Sequence, residues 1–82
     1  MIKFDKEMIL TGIEKKMSKK GNEYYVINFL DDNGLGQQSM FKGDTPNDQY
    51  FKGLEKLKPY LFTFQVTLGK YKNCDILNLQ KV

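Results

Sequence analysis

The chain has 82 residues, of which 40% are hydrophobic and 13% aromatic, and its net charge is +3. A chain of this length buries only about 60% of its unfolded surface, which leaves no room for a second core and makes residues 1–82 a single domain. With no His and a single Cys, it is also excluded from internal disulfides, from Cys/His zinc sets and from His-based acid–base catalysis.

All 13 basic residues are Lys. Lys supplies a mobile point charge, whereas Arg supplies the planar fork that reads guanine or clamps one phosphate. The basic surface therefore suits attraction to a polyanion backbone better than reading of a sequence. The opening residues, Met1 to Asp5, lack the apolar run of a signal peptide, and no stretch approaches the ~20 apolar residues that cross a bilayer. A cytoplasmic protein with no membrane contact is expected.

From Glu7 to Met17, apolar residues fall on both faces of an extended segment, and Gly12 marks a bulge or bend within it. Ser18 to Asn22 is a polar turn. Glu23 to Leu30 is the clearest strand, rich in aromatic and β-branched residues. Asp31 to Gly36 is a turn around Asn33-Gly34, the strongest hairpin dipeptide. Gln37 to Lys42 is a third, more polar strand. Asp44 or Thr45 then caps a short helix with Pro46 near its first position, and Tyr50, Phe51, Leu54 and Leu57 form its buried stripe. Gly53 weakens that helix and Pro59 ends it. Tyr60 to Leu68 alternates, with Tyr60, Phe62, Phe64, Val66 and Leu68 inward. After a turn at Gly69 to Asn73, the segment from Cys74 to Val82 closes the fold with Leu77 and Leu79 on its inner face.

The predicted fold is all-β with one short helix. A helix between the third and fourth of five strands matches the OB barrel, a partly open Greek-key barrel. No Gly-rich phosphate loop is present, and Cys74 has no His to activate it as a nucleophile. Asp31, Asp32 and Asp44 lack calcium-loop spacing and read as solvated turn carboxylates. No enzymatic activity, metal or cofactor is expected.

Lysines group in two places: Lys15, Lys16, Lys19 and Lys20 around the first hairpin, and Lys70 and Lys72 around Tyr71 in the last. In an OB barrel the loops joining strands one to two and four to five overhang one ligand face. On that face strand two would present Tyr24, Val26, Asn28 and Leu30, with Tyr25, Ile27 and Phe29 buried. A slip of one residue would exchange the two sets. Strand three would present Gln37, Ser39 and Phe41, with Met40 inward. Rings on a groove floor with lysines at its rims hold single strands, each stacked base contributing about 1–3 kcal/mol. Neutralising roughly 4–6 phosphates would make affinity fall steeply with salt.

The run Lys19 to Asp32, followed by Phe41 and Gly43, resembles the small OB-fold single-stranded-DNA-binding proteins of phages and Gram-positive mobile elements. The segment Val66 to Asn73 is similar to their last hairpin. The resemblance implies protection of single strands, DNA or RNA, during replication, repair or transfer, with stacking on Tyr24 and Phe41. The chain departs from the bacterial housekeeping versions in having no Trp and no acidic tail, which implies weaker binding. Two other roles fit the same residues. One is a protein-binding module or inhibitor that docks on a host or replication protein through its exposed rings. The other is a homo-oligomer assembled through open strand edges.

Overall fold

Alternating and β-branched segments leave each strand with one apolar face, and the strands bury those faces by closing on one another. A computed structural model of the chain describes residues 2–43, 51–69 and 73–82. Its five strands are β1 (Ile2–Met17), β2 (Glu23–Leu30), β3 (Gly36–Phe41), β4 (Lys58–Thr67) and β5 (Asn73–Lys81). They form a closed barrel in the order β1-β2-β3-β5-β4, with β4 returning to β1. Every pairing is antiparallel except the closure of β3 on β5, which is parallel at Phe41 and Ile76.

Strand β1 belongs to both sides of the barrel. Residues 2–10 pair with β4, and residues 9–17 pair with β2. Between these halves the register jumps from Leu10 opposite Phe29 to Gly12 opposite Asn28. Thr11 is thus the extra residue of a bulge, as the Gly12 signal suggests, and the added twist lets one strand turn the corner. The strand begins earlier than its apolar pattern indicates, because Ile2 to Glu7 pair only with β4 and remain exposed.

The core is sealed by Leu10, Ile27, Phe62 and Ile76, each at 1% exposure or less. Around them lie Tyr25, Phe29, Phe41, Phe51, Tyr60, Phe64 and Leu79. Phe29 meets Phe62 edge-on at 5.3 Å and Phe41 meets Phe51 edge-on at 5.1 Å between centroids, while Phe62 and Phe64 stack at 5.7 Å. Burying such a side chain stabilises by about 1.5–3 kcal/mol, a large share of a small domain's margin.

Five expectations are corrected. Phe41 points into the core and Met40 out of it, because the hairpin register sets Phe41 opposite buried Tyr25 and Met40 opposite Val26. In β5 the inward residues are Ile76 and Leu79, not Leu77. The register jumps there from Thr63 opposite Asn78 to Phe64 opposite Ile76, so Leu77 is the extra residue of a second bulge. Leu68 lies beyond the end of β4 and is 60% exposed. Leu57 joins no buried stripe: its N–H donates to the Leu10 carbonyl (2.6 Å), its φ is 62°, and its side chain is exposed. Pro59 accordingly sits within β4, opposite Ile9, and ends no helix. The predicted helix start at Asp44, Thr45 and Pro46, with Tyr50, falls outside the described residues. Residues 51 and 52 are helical, and the helical conformation stops at Gly53.

Candidate nucleic-acid interface

The outer face is organised in cross-strand rows. Lys16 of β1 lies opposite Tyr24; Glu14 lies opposite Val26, which faces Met40; Gly12 lies opposite Asn28, which faces Gln38. Tyr24, Asn28 and Leu30 are half-buried and Met40 is exposed. Val26, although outward, is only 7% exposed, because it is short and flanked by the longer Glu14 and Met40. The polar members bond to one another. Gln38 Nε2 donates to Glu14 Oε2 at 3.1 Å and to Asn28 Oδ1 at 3.2 Å. Lys16 Nζ stands 3.8 Å from Glu14 Oε2. The face is thus a shallow amphipathic strip with one carboxylate in its middle row.

The β1–β2 turn stands at the Tyr24 end of this strip. Ser18 N–H donates to the Asn22 carbonyl (2.8 Å), Gly21 N–H to the Ser18 carbonyl (3.0 Å), and Asn22 N–H to Ser18 Oγ (3.1 Å). Gly21 adopts φ 85°, which costs little only without a Cβ. The closed turn holds Lys19 and Lys20 at its exposed tip, where neither makes an ion pair among the described residues.

At the other end of the strip, Asp31 builds the β2–β3 turn. Its Oδ1 accepts from the Asn33 N–H (2.9 Å) and the Leu35 N–H (3.0 Å), and its Oδ2 accepts from Gln37 Nε2 (3.0 Å). These donors, led by the Leu35 N–H, hold the carboxyl below the usual range, since they stabilise the charged form. Asp32 pairs with Lys6. Both are structural turn carboxylates, and the described residues contain no cluster of three or more metal-ligating side chains.

The structure brings together Lys16, Lys19, Lys20, Tyr24, Val26 and Asn28, and leaves out several residues expected with them. Lys15 points to the inner side, its Nζ 5.9 Å from the Tyr25 ring centre and 3.2 Å from Glu23 Oε2. Gln37 serves the turn, and Ser39 lies half-buried opposite Ile27. Phe41 is core. Lys70, Tyr71 and Lys72 lie outside the described residues. The pairing adds Glu14, Gln38 and Met40, which the strand pattern alone did not single out as a surface. Seven rings are buried and Phe4 is exposed away from this face, so Tyr24 is its one aromatic among the described residues.

Cys74 is free and exposed, and partial burial, then the neighbouring Asp75, push its thiol up, away from the nucleophilic thiolate. No described helix is long and apolar enough to cross a membrane. The chain matches no family model and no curated protein.

Proposed function

We propose that the chain is an OB-fold domain that binds single-stranded DNA with little sequence preference on the outer face of β2 and β3. The observation that carries this reading is the placement of the exposed Lys19–Lys20 turn and Lys16 beside a half-open strip containing Tyr24, Asn28, Gln38 and Met40. The barrel order β1-β2-β3-β5-β4, with its parallel β3–β5 closure, supports the OB assignment. Tyr24 stacks a base, Val26 and Met40 give an apolar floor, the amides touch base edges, and the lysines follow phosphates. Phe41, packed in the core, takes no part in this surface. The role this serves is the handling of single strands in DNA replication, repair or transfer.

The test is a titration of labelled oligo-dT at several salt concentrations. Contacts from Lys16, Lys19 and Lys20 give a slope of log affinity against log salt of about −2, at roughly −0.7 per neutralised phosphate. Tyr24→Ala weakens binding by about 5- to 150-fold, the equivalent of ~1–3 kcal/mol. Absence of binding at low salt, or binding indifferent to Tyr24→Ala, refutes the reading.

One observation favours a second reading, a protein-docking module. The middle row of the strip sets the Glu14 carboxylate beside apolar Val26 and Met40, which repels phosphate but suits a mixed protein interface. On that reading Met40→Ala and Tyr24→Ala abolish capture of a protein partner, while oligonucleotides fail to bind even the unaltered chain.

A further inference from the structure

A depression of about 300 Å³ opens at the end of the barrel, lined by Leu10, Ile13, Tyr25, Phe51, Lys52, Leu54 and Lys56. We infer that it is a pocket for a single nucleobase, with Lys52 and Lys56 holding the attached phosphate; this rests on the single-strand reading above and extends it to a second subsite.

The volume lies at the lower end of the ~300–1,000 Å³ typical of small-molecule sites. It admits one planar ring system and its sugar, not an extended strand. The floor is apolar and aromatic. Tyr25 and Phe51 lie 4.4 Å apart between ring centres, and Ile13 and Leu54 are only partly buried against the core. The described lining contains two cations and no carboxylate, so a neutral apolar ligand would leave its charge unmatched. An aromatic ring carrying an anionic group satisfies both halves of the lining. The wall is also built in advance. Leu54 N–H donates to the Phe51 carbonyl (3.1 Å), Glu55 N–H to the Tyr60 hydroxyl (2.7 Å), and Leu57 N–H to the Leu10 carbonyl (2.6 Å). These bonds fix residues 54–57 against the barrel before any ligand arrives, which lowers the ordering cost of binding.

The pocket lies on the inner-phase side of the same hairpin that carries Lys16 and Tyr24 outside. Tyr25 contributes to the pocket and Tyr24 to the outer strip, on adjacent residues of β2. A strand lying on the outer face can turn one base over the barrel end into this depression.

The test is methyl and aromatic NMR of the full chain, titrated separately with dTMP, thymidine and oligo-dT. The signals followed are those of Leu10, Ile13, Leu54 and Tyr25 for the pocket and of Val26 and Met40 for the outer strip. Expected are pocket shifts with dTMP and with oligo-dT, at least tenfold weaker binding of thymidine, and a similar loss of dTMP binding in K52E/K56E. These lysines are exposed, so the variant keeps its fold. Leu54→Trp, which fills the depression, abolishes the dTMP shifts, whereas Tyr24→Ala leaves them unchanged. Oligo-dT binding tighter than dTMP identifies the source as a base within a strand, and equal affinities identify a free nucleotide. Shifts confined to Val26 and Met40 on adding oligo-dT, with dTMP silent, overturn the pocket and leave the single-strand reading standing. Silence at both places with every probe overturns both. Pocket shifts undiminished in K52E/K56E overturn the phosphate contact.

Discussion

Replacing Phe41 by Ala removes a ring at the point where β3 meets β5. Phe41 is 6% exposed, lies edge-on to Phe51 at 5.1 Å, and pairs across the sheet with Tyr25 and Ile76. A buried Phe→Ala change costs about 3–5 kcal/mol, from lost transfer energy and the cavity left behind. A domain of this length has a total stability on the order of 4–12 kcal/mol, at ~0.05–0.15 kcal/mol per residue. The variant should therefore lose about a quarter or more of its stability and melt at least ~12 °C lower. Its neighbour Met40 is 38% exposed on the outer face, and Met40→Ala should change stability by less than about 1 kcal/mol. The assay is urea unfolding followed by Tyr fluorescence and far-UV circular dichroism on both variants. A severe loss for Met40→Ala with a mild one for Phe41→Ala would mean that β3 is paired one residue out of the register described, and would refute the reasoning on both core and surface.

A Cβ at Gly43 would stand 2.2 Å from the Leu77 carbonyl oxygen and 2.6 Å from the Phe41 ring, so Gly43→Ala should destabilise by about 1–3 kcal/mol, whereas Gly36→Ala, with open space around it, should not; equal melting temperatures would contradict this. The depressed Asp31 carboxyl binds its proton later in the folded chain than in the unfolded one, so its stabilising contribution is full above the usual carboxylate range and is lost as pH falls through the lowered value. Asp31→Asn should thus unfold at lower urea than the parent at neutral pH, the two converging in strong acid, and a gap that persists in acid is the contrary result. Glu14→Gln removes the carboxylate in the middle row of the outer strip and keeps its acceptor for Gln38. It should raise affinity for oligo-dT about threefold at low salt, with the gain shrinking as salt screens it, and an unchanged affinity would place the strand elsewhere.

Much of the barrel was legible from local pattern. The bounds of β2, the turn around Asn33-Gly34, the burial of Tyr25, Ile27 and Phe29 and the bulge at Gly12 all follow from side-chain alternation and turn chemistry over a few residues. The phase of β3 was also present in the sequence, but as arithmetic across the hairpin. A loop closed between Asp31 and Leu35 pairs Leu30 with Gly36 and so sets Tyr25 opposite Phe41. Gln37, Gln38 and Ser39 are polar in either phase, and the strand alone therefore carries no contrast to choose by.

What the sequence by itself determined is which segments are extended, where they turn, and that the excess charge rides on lysine. Only the tertiary structure decided which rings stay available. The bulge at Leu77, the parallel meeting of Phe41 with Ile76 and the pull of Leu57 onto the Leu10 carbonyl are long-range events, set by how strands from opposite ends of the chain share one interior. A strand's pattern states that it has an inner face. Which residues occupy that face depends on one-residue offsets between partners distant in the chain, and each offset turns the following side chains over.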